Sequence, residues 1–154
     1  MVTNTVIKNG IKKLLNITGY ILLANIVLCN SAFSALRVIS IEPSKFTSQT
    51  MGEVTETDKR VEEACLNWHL SGAEIIKVFE SSSVYQDRGA ISREYYWLPC
   101  EIEGKLISDG KEWNFTLNAA AHAEWNDGHQ SIYWGCAKDE CESLFLLSYD
   151  GMAG

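Results

Sequence analysis

The apolar positions of this chain follow two periodicities. From Asp58 they recur every three or four residues: Val61, Ala64, Cys65 and Trp68 share a stripe, with Lys59, Arg60, Glu62, Glu63 and Asn67 opposite. That spacing predicts an amphipathic helix with Thr57 or Asp58 as N-cap. A second helix follows at once, because Ser71-Gly72-Ala73-Glu74 is a capping-box sequence and Leu70 is placed to staple onto Ile75. Ile75, Ile76 and Phe79 form its apolar face, and Ser81-Ser82-Ser83 ends it. Tyr85 to Arg93 reads as a polar loop.

Beyond this loop the period drops to two. Asp109-Gly110 and Asp127-Gly128 mark hairpin tips, since type I′ turns need positive φ at both central residues. With two-residue turns at both places, Leu106 faces Trp113, Gly104 faces Phe115, Ile102 faces Leu117, Cys100 faces Ala119 and Leu98 faces Ala121. The next strand then sets Trp134 against Ala121 and Ile132 against Ala123. Every odd residue from Trp113 to Trp125 is apolar, so a single long middle strand with one buried face is expected. Leu144 to Tyr149 supplies a fourth strand. The expected fold is α+β: a four-stranded, mostly antiparallel sheet with the helix pair packed on one face. Upstream, Leu36 to Ile41 can form a short strand that Glu42-Pro43-Ser44 ends. The polar residues that follow read as linker, and the pattern leaves open whether residues 35–56 pack on the domain or trail from it.

The N-terminal third is patterned differently. Lys8, Lys12 and Lys13 precede a short apolar run from Leu14 to Cys29, and no acid occurs before Glu42. A basic start, a short apolar run and small residues at Ala32 and Ser34 describe a secretory signal peptide, residues 1–34, cleaved before Ala35. An uncleaved amphipathic anchor is the alternative. Lipidation at Cys29 is disfavoured because Leu28, the residue before it, is not small. The run is short and broken by Asn and Thr, so no stable membrane span is expected after cleavage. The organisation is then a signal peptide at 1–34, an N-terminal segment or linker at 35–56, and a single α+β domain at 57–154.

Cleavage changes the charge. The whole chain carries −7 over 154 residues, with 13 basic and 20 acidic side chains. The leader takes three lysines and no acid, leaving 120 residues at −10. Such acidity argues against nucleic-acid binding, since nothing neutralises a phosphate backbone. The charged fraction of 21% is too low for a disordered chain. Four cysteines remain, Cys65, Cys100, Cys136 and Cys141, and in an exported domain they read as two disulfides. Cys65 lies on the helical stripe that covers the face to which Cys100 points, and Cys136 and Cys141 bracket an acidic turn. These placements favour 65–100 with 136–141, though sequence alone leaves the other pairings open. In chain-entropy terms the long loop contributes about 4 kcal/mol and the short one about 2.

The other face of the expected sheet holds the candidate chemistry. Its register sets Glu103 opposite Thr116, Glu101 opposite Asn118, Trp97 opposite His122, and Tyr95 opposite Glu124. From the next strand Tyr133 faces His122 and Ser131 faces Glu124. A strip of Tyr95, Trp97, His122 and Tyr133, flanked by Glu101, Glu103, Asn118 and Glu124, has the composition of an interface hot spot. The competing reading is that the N-terminal segment or the loop before Tyr95 folds over this face and makes it core. For catalysis, His122 and Glu124 could act as a base pair or as part of a metal site, but three or four ligands are needed and no metal is expected. His-Ala-Glu lacks the Pro-Cys-x-x-Cys half of a deaminase signature, and no Gly-x-Ser-x-Gly elbow occurs. Glu101 and Glu103 are spaced like a glycosidase acid pair, yet a domain this small has little room for a sugar cleft. No catalytic residue and no cofactor is assigned.

The block from Trp97 to Met152 resembles a family of small exported bacterial proteins with no assigned activity. The resemblance rests on Leu98-Pro99-Cys100, Gly110-Lys111-Glu112-Trp113-Asn114-Phe115, Asn118-Ala119-Ala120-Ala121, Trp134-Gly135-Cys136, and Cys141 through Asp150-Gly151-Met152. It covers roughly the C-terminal third and implies export and paired cysteines. The expected function is a periplasmic or secreted protein-binding module, of the inhibitor or immunity type, directed at a basic toxin or hydrolase. Alternatives are an envelope enzyme or metal-dependent protein using His122 and Glu124, and a structural envelope component.

Overall fold

The structure is a computed structural model that describes residues 36–47 and 55–152. The segment read as a signal peptide, with its cleavage point, lies outside the described residues. In chain order the elements are β1 (Arg37–Ile41), β2 (Lys45–Phe46), α1 (Glu56–Asn67), α2 (Gly72–Ser81), β3 (Ser83–Tyr85), α3 (Arg88–Ser92), β4 (Cys100–Ser108), β5 (Lys111–Asn118), β6 (His122–Asn126), β7 (Ser131–Gly135) and α4 (Asp139–Glu142). The class is α+β, but the expected four-stranded sheet with a helix pair is wrong. The described residues form one antiparallel sheet of seven strands, ordered β1-β4-β5-β6-β7-β3 with β2 also on β4, accompanied by four short helices.

The largest difference is a hairpin inside the expected middle strand. The first turn is as read: Asp109 and Gly110 take φ of 51° and 74°, and Leu106 pairs with Trp113 and Gly104 with Phe115. The chain then reverses at Ala119-Ala120-Ala121, so that β5 pairs with β6 through Leu117–Ala123 and Phe115–Trp125. Asn118 starts this turn by accepting the Ala120 N–H at 3.1 Å, and Ala121 completes it at φ 63°. A three-residue turn returns odd positions against odd positions. The alternation of apolar residues therefore runs through the reversal unbroken and gives no sign of it.

The second Asp-Gly also turns differently. Asn126 pairs with Ser131, so the loop spans four residues rather than two. The Asp127 carboxylate accepts the His129 and Gln130 N–H groups, each at 2.8 Å, and holds the wider loop open. Register moves by two: Ala123 faces Trp134 instead of Ile132, and Trp125 faces Ile132. A two-residue shift preserves which face each side chain occupies.

Leu144 to Tyr149 forms no strand. After α4 the chain crosses the Ala turn, with the Leu146 and Leu147 N–H groups both donating to the Ala119 carbonyl. The edge beyond β7 belongs to β3, a three-residue strand in sequence that reads as loop. At the opposite edge Arg37–Phe46 pairs along β4, with a bulge between Val38 and Ser40 and an interruption at Glu42-Pro43-Ser44. Helix α1 starts two or three residues earlier than expected: Thr55 is the N-cap, and Asp58 is its reciprocal capping-box partner.

One face of the sheet is packed. Phe79 of α2 meets Phe115, Trp125 and Trp134 edge-on at centroid distances of 6.0, 4.9 and 5.7 Å. Gly104 makes room for Phe115, since a Cβ there would lie 2.5 Å from the Phe115 ring. Cys65 and Cys100 lie at disulfide distance with Cα atoms 5.3 Å apart, as do Cys136 and Cys141 at 6.2 Å. Among the described residues no helix is long and apolar enough to cross a membrane.

Candidate functional site

The polar face of the sheet carries an open cleft of about 770 Å³. The ladder builds its floor from two cross-strand rows. One runs Glu101, Asn118, His122, Gly135 across β4 to β7; the other runs Glu103, Thr116, Glu124, Tyr133. Helix α3 and the segment from Tyr95 to Trp97 form the wall over the β6–β7 end. All eight residues singled out from the sequence line this cleft, although by a different route from the one expected. Tyr95 and Trp97 are not strand partners of Glu124 and His122. They follow α3 in irregular chain, while Tyr133 faces Glu124 and Gly135 faces His122.

Their surroundings divide these eight residues. Asn118 is 2% exposed and fully occupied: its Oδ1 accepts the Leu98 and Ala120 N–H groups, and its Nδ2 donates to the Leu98 carbonyl at 2.7 Å. It ties the segment before β4 to the Ala turn and presents little to a ligand. Tyr95 is also buried. Its ring lies over Gly135, where a Cβ would come within 2.5 Å of it, and its hydroxyl meets that of Tyr85 at 3.3 Å. Burial, with the Tyr85 contact adding to it, pushes the Tyr95 phenol above its ordinary value. Trp97, by contrast, is 43% exposed at the rim.

His122 sits on the floor with its ring 6.1 Å from that of Tyr95. Burial lowers its pKa to about 4; nearby Arg88 adds to the shift, and a hydrogen bond to the Tyr96 backbone opposes it. The imidazole is therefore neutral at neutral pH. Among the described residues no three His, Cys, Asp or Glu side chains converge to hold a metal ion.

The three glutamates are not equivalent. Glu103 binds Lys45 at 2.6 Å, and the same ammonium bridges to Glu42 at 2.7 Å. Those contacts hold the Lys45 pKa above its ordinary value. Glu124 accepts the Ser131 hydroxyl at 2.5 Å and faces Arg88 at 3.8 Å. Among the described residues, Glu101 has one side-chain hydrogen-bond partner, Asn118, at 3.4 Å. The cleft is acidic, but two of its three carboxylates already face a cation of the same chain. Arg88 escapes a sequence reading because it lies in the stretch taken as polar loop. Its one signal is Asp87, which caps α3 by accepting the Ala90 N–H at 2.8 Å.

No protein family, curated protein or solved structure matches the chain.

Proposed function

We propose that this chain is an exported binding protein that receives a basic, protruding segment of another protein in the cleft, as an inhibitor or immunity protein receives a toxin or hydrolase. The observation that carries the reading is the cleft itself, with Glu101, Glu103 and Glu124 on one sheet face below the exposed Trp97. An aromatic anchor beside carboxylates is the composition of a hot spot, and the net charge of −10 left once the leader is removed steers a basic partner toward it. Two cysteine pairs at disulfide distance fit an oxidising compartment, periplasmic or secreted in this reading. The test is capture of a partner by the tagged chain from an envelope extract at low and high salt, with Trp97→Ala and Glu101→Lys in parallel. The reading expects an identified basic protein that is held at low salt, released at high salt, and lost with either variant. A partner that both variants still capture overturns it.

A further inference from the structure

We infer that Arg88 stands in the place of a ligand guanidinium, and that the partner's principal contact is an arginine side chain that displaces Arg88 from Glu124. The inference rests on the reading of the cleft as a site for a basic protein and names the side chain that enters it.

Glu124 is prepared on one side and open on the other. Its Oε1 accepts the Ser131 hydroxyl at 2.5 Å, and Ser131 in turn accepts the Asn126 amide at 2.8 Å. This relay orients the carboxylate and leaves Oε2 to the cleft. There Arg88 Nη2 stands 3.8 Å away, close enough for attraction and too far for a hydrogen bond. The Arg88 side chain is 78% exposed and the Glu124 side chain 28%. A loose, solvated pair of this kind contributes little and yields readily to a donor of better geometry.

The backbone that carries Arg88 is fixed. Asp87 caps the helix, the Ser92 hydroxyl donates to the Arg88 carbonyl at 2.9 Å, and Ile91 is buried. The side chain can therefore swing away without disturbing the wall. Tyr133 lies directly across from Glu124 in the ladder, offering a ring beside the carboxylate. A planar guanidinium suits both, since it pairs with a carboxylate through its fork and stacks on an aromatic face, which an ammonium does less well. Glu103 offers no such opening, because Lys45 already holds it at 2.6 Å while also binding Glu42 at 2.7 Å, and an incoming cation would have to displace that ammonium. Glu101 faces no cation, but its side-chain partner is the buried Asn118 amide rather than a hydroxyl relay like that of Glu124.

The test is a titration of the ¹⁵N-labelled full-length chain with N-acetyl-arginine amide, using N-acetyl-citrulline amide as the neutral isostere. The arginine amide should shift the resonances of Arg88, Glu124 and Tyr133, and the citrulline amide should not. Arg88→Ala should tighten arginine binding about two- to fivefold, the range released when an exposed ion pair stops competing. Glu124→Gln should weaken it at least about tenfold. Equal binding of the two amides overturns the inference. So does an Arg88→Ala variant with unchanged or weaker affinity, which would make Arg88 a contact rather than a stand-in. If Glu124→Gln disturbs the spectrum beyond β6 and β7, the Arg88→Ala titration decides alone. Capture of a basic partner with no response to Arg88→Ala removes the stand-in and leaves the function standing. Arginine binding as expected without any captured protein does the reverse.

Discussion

Removing the Asn118 side chain should destabilise this protein rather than act directly on binding. The residue sits in the floor of the candidate cleft, yet its side chain serves the backbone around it. Asn118→Ala leaves the Leu98 N–H, the Leu98 carbonyl and the Ala120 N–H without their partners at 3.1, 2.7 and 3.1 Å. Each such group costs about 1–3 kcal/mol when buried and less where water reaches it, so the sum is about 3–5 kcal/mol. Against a total of roughly 5–15 kcal/mol for a domain, that is a large fraction. At about 4 °C per kcal/mol the melting temperature should fall by more than about 10 °C. Urea unfolding followed by circular dichroism measures the loss. Asn118→Asp keeps oxygen acceptors for the two N–H groups but sets a buried carboxylate against the Leu98 carbonyl and Glu101, so it should not restore wild-type stability at neutral pH. Amide exchange at Ala120 should accelerate in both variants. An Asn118→Ala protein of wild-type stability that no longer captures a partner would refute the reasoning and return Asn118 to a direct binding role.

Three further outcomes follow from the same geometry. Gly135→Ala places a Cβ against the Tyr95 ring; overpacking of this kind costs about 1–3 kcal/mol, and thermal unfolding should register it together with an altered Tyr95 environment in near-ultraviolet circular dichroism. His122 titrates at about 4 when folded against an ordinary 6.5. The unfolded chain therefore binds the proton more readily, and stability falls as pH drops from 6.5 toward 4, by up to about 3 kcal/mol for this group. Urea midpoints measured across that range should slope less in His122→Gln than in wild type, and parallel slopes would contradict the burial of the imidazole. Replacing Cys65 and Cys100 together by serine should cost about 4 kcal/mol and the Cys136–Cys141 pair about 2, read from urea midpoints; the reverse order would contradict the loop-length argument.

What could be read from the sequence, and what could not, has a physical division. Which residues share a sheet face was legible, because alternation survives any change that shifts register by two or reverses the chain over an odd number of residues. The Ala119–Ala121 reversal and the widened Asp127 loop are changes of those two kinds, so Glu101, Glu103, Asn118, His122, Glu124 and Tyr133 share the expected face although their strand partners differ, and Tyr95 and Trp97 reach the cleft from irregular chain. Asp109-Gly110 carried its turn type openly. Asp127-Gly128 is the same dipeptide, but the Asp127 side chain captures two later N–H groups and lengthens the loop. The Ala turn lacks the usual turn residues except at its start, where Asn118 could be taken equally for an exposed polar side chain. Leu144 to Tyr149 has the composition of a strand, but its Leu146 and Leu147 amides are used by the Ala119 carbonyl. Arg88 was hidden for a simpler reason. A five-residue helix has too few turns to show a periodicity, and only the capping aspartate before it hints that the loop is ordered.

The measurement that bears most directly on the binding claim is hydrogen–deuterium exchange of the chain alone and with its captured basic partner. The account predicts new protection confined to Arg88 through Glu103 and to β5, β6 and β7, the segments that border the cleft. Protection on α1, α2 or the β1 edge, with the cleft unchanged, would contradict it.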